Sequence, residues 1–463
     1  MKNKLNKLFN ILYSIPVLTG IVIAQPIIDI GTYFSKEIFN IASLGSLLRL
    51  ILLVYALIYL LFSKSNKIKK ISICYLITLG IFAVVNLAIN FDKTYIFMDL
   101  KNIIKLLYFP IMLLFFIKYI IDTKKFITAN TLNINTIIIS TVTIIAKLTG
   151  SEVCSYGATC TRGFMGWFYS ANEIGIICVL LYAVTLYIFF ETKFSFLSTV
   201  SLIMILYTCL SIGTKASFLG VIVITTLMLI IESLSLIIKR KKEQVQGTIM
   251  CVLMEIMVIL LTPSTPVCFN NYMLFKDYGF YCKIPIDSKT TNVEDIKNVE
   301  DIKSSVEKEI NGSQGLDKDD KVSKILNGRD SFKKDKDNLI KKELKANIFG
   351  LGYSSYAITN GKEKIIERDY YDLLYEYGYV GFILTLLPAV SLLLYLGFKR
   401  IKKISKILNR NNILLGATLL TFAGAHIAGH VLFAPAVTTY ISLILALLFS
   451  EELKSNNEAP RKK

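Results

Sequence analysis

Apolar runs alternate with short polar connections along most of this chain, and each run is close to the roughly 20 residues a helix needs to cross a bilayer. Twelve runs can be placed, near 10–30, 43–63, 71–90, 103–121, 132–149, 171–190, 195–212, 216–238, 248–262, 376–398, 412–429 and 433–450. The shortest, 248–262, is the weakest of them. One long polar stretch, 263–375, separates the first nine runs from the last three. The pattern predicts an all-α polytopic membrane protein with about twelve transmembrane helices and one long extracytoplasmic loop carrying short helices. Residues 1–262 form the first part of the bundle, 263–375 the loop, 376–450 the last three helices and 451–463 a tail.

The connections set the orientation. Every second one is basic: Lys64, Lys67, Lys69 and Lys70; Lys118, Lys124 and Lys125; Lys239, Arg240, Lys241 and Lys242; and Lys399, Arg400, Lys402, Lys403, Lys406 and Arg410. Basic connections stay on the cytoplasmic side, which places both termini inside and residues 263–375 outside. The first run holds Pro26 and Asp29 and has no small-residue cleavage site, so it reads as a retained helix, not a signal peptide.

Composition agrees. A hydrophobic share of 54% and a mean hydropathy of +0.55 are too high for a soluble chain of 463 residues. The formal charge of +18 would suggest nucleic acid in a soluble protein. Residues 263–375, however, hold 19 Lys and Arg against 19 Asp and Glu, so the whole surplus belongs to the membrane part. There it marks cytoplasmic loops and anionic lipid. No nucleic-acid motif is visible.

Candidate chemistry gathers in four stretches, most of it where the long loop turns into the tenth run. Glu367, Arg368, Asp369 and Asp372 precede an apolar face of helical period that contains Gly378 and Gly381. Upstream lie the glycine-punctuated turn Asn347–Tyr353 and, in Asn327–Asp330, Arg329. A second stretch, 151–175, brings Arg162, the single Trp167, Phe168, Asn172 and Glu173 to the outer end of a run. It reads either as an interfacial aromatic belt or as polar groups facing an internal cavity. The third, Ser211–Ser217, puts Lys215 at an outer helix start, where it either snorkels to headgroups or helps hold an anion. In the fourth, Gly424–Ala436, the chain's two histidines, His426 and His430, are spaced four apart as on one helical face beside an outer hairpin marked by Pro435. No HExxH motif or third ligand accompanies them, so no metal or other cofactor is expected.

Cys74, Cys178, Cys209 and Cys251 lie in apolar runs and read as packed small side chains. Cys154/Cys160 and Cys268/Cys282 fall in outer segments, as candidates for disulfides that close short loops or as free thiols. Residues 287–346 read as an insertion. Asn292–Lys297 is repeated as Asn298–Lys303, and the stretch after the repeat is too charged to bury a core, with 287–328 the most mobile part of the insertion.

The succession of an arginine, G-x-G, a polar triplet and E-x-G-x-x-G resembles the outer loop and following helix of the O-antigen ligase and polysaccharide polymerase superfamily. The similarity is closest to its Gram-positive "O-antigen ligase like" membrane proteins. Arg162–Glu173, Lys215 with its turn, and Gly429–Ala436 resemble matching segments. Glu367 stands where Gram-negative ligases carry a histidine.

The resemblance implies a bacterial plasma-membrane enzyme. It would pass a glycan from an undecaprenyl-diphosphate donor to a glycan or cell-wall acceptor, by inverting, metal-independent transfer. It further implies that Arg162, Lys215, Arg329 and Arg368 hold the donor diphosphate, and that Asp369, Glu367 or Glu173 supplies the base. Asn172 and His430 would line the cavity. A flippase or exporter of lipid-linked oligosaccharide is the competing class, but no duplicated halves or matched broken helices are visible.

The topology is open to direct test. A cysteine introduced at Ser313 is expected to react with a membrane-impermeant thiol reagent in intact cells and one at Ser65 is not; the opposite labelling would invert the assignment.

Overall fold

A computed structural model describes residues 15–124, 127–156, 160–240, 242–271, 344–359, 362–363 and 365–458. Arg329, Cys282 and the 287–328 insertion lie outside the described residues. In chain order the helices are α1 Ile15–Phe39, α2 Leu44–Phe62, α3 Lys67–Ile89, α4 Ile96–Thr123, α5 Ala129–Thr149 and α6 Ala171–Glu191. Next come α7 Phe196–Ser211, α8 Lys215–Lys239, α9 Lys242–Leu261 and the short α10 Pro266–Asn270, α11 Leu344–Phe349 and α12 Tyr353–Ala357. α13 Asp369–Ile401, α14 Ile404–Ile407, α15 Asn412–Gly424 and α16 Pro435–Glu458 complete the chain. A two-residue strand pair, Ile358–Thr359 with Lys362–Glu363, and an isolated bridge between Cys154 and Phe164 are the β-pairings among the described residues.

The protein is an all-α polytopic membrane protein. Each of the twelve expected runs has a helix within it: ten of these helices are long and apolar enough to span a bilayer, and the other two, α7 and α15, are shorter apolar helices. Ser and Thr side chains start many of them, with Thr128, Ser170, Ser195 and Thr214 each accepting a bond from the N–H three residues on. α4, α6 and α16 are largely buried, α1, α2, α3 and α9 largely exposed. That division separates central helices from lipid-facing ones, since a helix that is apolar all round is stable in either place.

Because the long helices run up and down, their connections fall into two groups, each tied together by its own contacts. At one end Arg410 pairs with Glu232 and Glu191, Lys406 with Glu452, and Lys118 with Asp122. This is the end with the basic connections. At the other, Tyr33 Oη donates to the Ser151 carbonyl, Phe164 N–H to that of Ser211 and Asn86 Nδ2 to that of Phe349.

α13 is kinked at Gly378 (φ 64°, ψ −173°), a conformation essentially confined to glycine. The kink frees the carbonyls of Tyr375 and Glu376, and the Asn347–Tyr353 turn fills them: Leu351 N–H donates to Tyr375 at 2.9 Å and Gly352 N–H to Glu376 at 3.0 Å. A Cβ at Gly350 would sit 2.2 Å from the Glu376 carbonyl oxygen, and one at Gly378 2.4 Å from that of Ile348. The two glycine motifs therefore meet backbone to backbone. Gly378→Ala is expected to destabilise the protein by about 1–3 kcal/mol from backbone strain alone, read as a lower melting temperature in detergent. An unchanged melting temperature would show that the kink is dispensable.

Candidate functional site

The start of α13 is built around three buried charged side chains, Arg368, Asp369 and Asp372. The Asp369 carboxylate, 2% exposed, accepts backbone N–H bonds from His430 (2.8 Å), Val431 (2.8 Å) and Leu432 (2.5 Å). Asp372 accepts from Ile366 N–H at 3.2 Å, from Arg368 N–H at 2.9 Å and from the Tyr356 hydroxyl. Burial, with Asp372 alongside, pushes the Tyr356 phenol well up and keeps it a donor. Arg368 is buried, lies 4.4 Å over the Tyr371 ring and donates from Nε to the His426 carbonyl at 2.9 Å. Each bond ties α13 either to its own approach or to the segment between α15 and α16.

That segment, 425–434, is not helical. The sequence places His426 and His430 on one helical face and carries the run to 429. Instead α15 stops at Gly424, since the N–H groups of residues 430–432 serve Asp369, and both histidines are exposed. Gly429 lets the chain pass close, because a Cβ there would meet the Glu367 carbonyl carbon at 2.7 Å. Glu367 is exposed and has φ 60°, a left-handed backbone that few residues other than glycine adopt.

A second corner forms around Lys215. Thr214 caps α8, and Gly213 (φ 80°) lies so close to the Arg162 carbonyl that a Cβ would meet its oxygen at 2.3 Å; Gly163 stands in the same relation to Ile212. Asn270 Nδ2 bridges the two strands of chain, donating to the carbonyls of Arg162 (2.8 Å) and Gly213 (3.0 Å). A disulfide, Cys154–Cys160, closes the loop just before Arg162, and Cys268 is disulfide-bonded as well. Gly175 packs against Thr214, so Asn172 and Glu173 at the start of α6 border this corner. Arg162 and Lys215 are both exposed.

Between the two corners lies a polar seam. Asp29 of α1 pairs with Arg49 of α2 at 2.5 Å, and Glu173 is within electrostatic range of both and of Lys105 on α4. Lys105 in turn acts on Glu376, two residues before the kink. Beside them Tyr108 bonds to Thr439, and Tyr440 donates to Asn135. A Cβ at Gly424 would meet the Ile176 side chain at 3.8 Å, which brings the end of α15 alongside α6.

With this geometry in view, the comparison with known families is decisive: a family model described as "O-antigen ligase like membrane protein" matches residues 13–454. The chain belongs to that family. Membership makes it a multi-pass membrane enzyme of polysaccharide synthesis that handles lipid-linked glycan. No curated protein and no solved structure matches it.

In this O-antigen ligase-like protein the expected residues divide between the two corners. Arg368, Asp369, Glu367 and His430 lie at the start of α13, while Arg162, Lys215, Asn172 and Glu173 border the turn that opens α8. Asp29, Arg49 and Lys105 join the corners and were not singled out by sequence reasoning as functional. The signal that could have found them was their type, since ionisable residues in apolar runs seldom face lipid. Among the described residues no three His, Cys, Asp or Glu side chains come together as a metal site requires.

The Asp369 clamp can be measured. Removing a buried acceptor leaves N–H groups unpaired at about 1–3 kcal/mol, so Asp369→Ala is expected to lower the melting temperature, and Asp369→Asn, which keeps one acceptor oxygen, to lower it less. Equal melting temperatures for wild type and the alanine variant would remove the clamp.

Proposed function

We propose that this protein is a glycosyltransferase that moves a glycan from undecaprenyl diphosphate to a hydroxyl of a second glycan or a cell-wall acceptor, on the outer face of a bacterial plasma membrane. The carrying observation is the seam itself: fixed cations and carboxylates collect at one end of the bundle, beside the broken segment 425–434. Two further features support the orientation. The disulfide Cys154–Cys160 lies at this end, and the basic connections lie at the other. On this reading both termini are cytoplasmic, 263–375 is the outer loop and 451–463 the inner tail.

The reaction needs two things from the protein. As the acceptor oxygen bonds to the anomeric carbon from the face opposite the leaving group, the bond from that carbon to the phosphate oxygen breaks and the configuration inverts. The electron pair leaves on undecaprenyl diphosphate, where charge builds on the phosphate oxygens. Arg162 and Lys215, with Arg368 and Arg329, are assigned to meet that charge, and preorganised cations suit the task because they need no reorganisation as it develops. This assignment uses side-chain cations and no metal ion.

The acceptor proton needs a base within hydrogen-bond reach. Both Asp369 oxygens already accept backbone bonds, so we assign it a positioning role, holding residues 430–432 and with them the cavity edge at His430. Glu367 is the stronger candidate base: it is exposed, and strained backbone of the kind it adopts collects at functional sites. Glu173 and Asn172, bordering the other corner, are assigned to the acceptor side of the cavity, with Glu173 the alternative base.

In vesicles supplied with lipid-linked glycan, Glu367→Gln is expected to abolish transfer while leaving protein abundance and donor binding intact. Lys215→Ala is expected to slow transfer by roughly 10²-fold, the scale of removing one preorganised donor, and Lys215→Arg to retain more. Wild-type rates in Glu367→Gln would transfer the base role to Glu173, and wild-type rates in Lys215→Ala would remove the diphosphate assignment.

A further inference from the structure

One carboxyl group in the membrane part stands apart both from the two corners and from the ion pairs at the opposite end of the bundle. Glu255 lies on α9, and its one hydrogen-bond partner among the described residues is Thr226 of α8, whose Oγ1 donates to Oε1 at 2.7 Å. No ion pair involves it among the described residues. At the ~1.5 Å rise of an α-helix, Thr226 is roughly 16 Å along α8 from Lys215 and Glu255 roughly 20 Å along α9 from Lys242. In a hydrocarbon layer about 30 Å thick, that is near the middle.

The surroundings are bare. α9 packs chiefly on α8 and the turn that follows it, and it leaves Leu253, Ile256, Met257 and Leu260 exposed. Thr226 is itself exposed, between Leu219 and Ile230 on the outer stripe of α8. The Thr226–Glu255 pair thus interrupts an otherwise apolar surface along the α8–α9 hairpin. Carboxyl groups at this depth face a protein partner or a polar cavity, not lipid tails.

We propose that the α8–α9 surface receives a transmembrane helix of another membrane protein, one that presents a lysine or arginine to Glu255 at mid-bilayer. Charge decides the occupant. A second copy related by a two-fold axis would set one carboxyl group against another, and lipid headgroup amines lie a half-bilayer away. A basic residue on a neighbouring helix is the complement, and polar contacts of this kind hold helices together where burial from water no longer drives association. The proposal stands independently of the transfer reaction.

The test is photo-crosslinking from a photoreactive amino acid at Met257 in the full-length protein in its native membrane, with the crosslinked peptides sequenced. The expected adduct lies in a membrane-spanning segment of another protein, within one helical turn of a lysine or arginine. Its yield is expected to fall about tenfold in both Glu255→Leu and Glu255→Gln, the scale of an interhelical polar contact. Thr226→Val keeps the carboxyl group and is expected to keep most of the yield. Adducts to lipid alone, to a second copy of this chain or to a segment without a nearby basic residue each overturn the proposal. So does a yield unchanged in both Glu255 variants. Transfer by the purified variants is expected to match wild type, so a failure here leaves the transfer reaction untouched.

Discussion

A bilayer offers no water to a stray N–H or C=O, so every break in a spanning helix has to be answered by a partner within the protein. Two breaks shape this molecule, and the same short region answers both. At Gly378 the freed carbonyls of Tyr375 and Glu376 take N–H groups from the 351–352 turn. Between Gly424 and Pro435 the chain leaves the helix, and Asp369 takes three of its N–H groups. The loop before α13, the kink and the segment between α15 and α16 are therefore one hydrogen-bonded unit, and displacing any part strands polar groups in the others.

That arrangement also sorts framework from reactive groups. Asp369 and Asp372 accept several bonds each and are buried, so their contribution is to fix the backbone around them. Glu367, just outside the helix, keeps its exposure and a strained backbone. At the other corner Gly163 and Gly213 let two lengths of chain touch, which sets Arg162 beside the turn that carries Lys215. Asp29 holds Arg49 in the seam between the corners, so cations and carboxylates alternate across this end of the bundle. Under the proposed reaction this alternation keeps a cation for the leaving diphosphate close to a carboxylate for the acceptor.

Much of this was legible in the sequence. The twelve apolar runs, the alternation of basic connections, the glycine turn before the tenth run and the two candidate corners can all be read from residue type and spacing. Harder to read was the partnership of single residues. Asp29 and Arg49 are 20 positions apart, and only the packing of α1 on α2 makes them a pair. The histidines fit a helical spacing, yet bonds to a carboxylate 61 to 63 positions away override the local pattern.

The sequence by itself therefore determined the class of protein, where its apolar helices lie and which segments share an end of the bundle. Hydrophobic length and loop charge are local properties, and the bilayer acts on them directly. Tertiary structure alone decided which carboxylates are framework, where α15 stops and how the two glycine motifs meet. Those outcomes depend on which backbone groups are left without a partner once the helices have packed, and no residue's identity states that in advance.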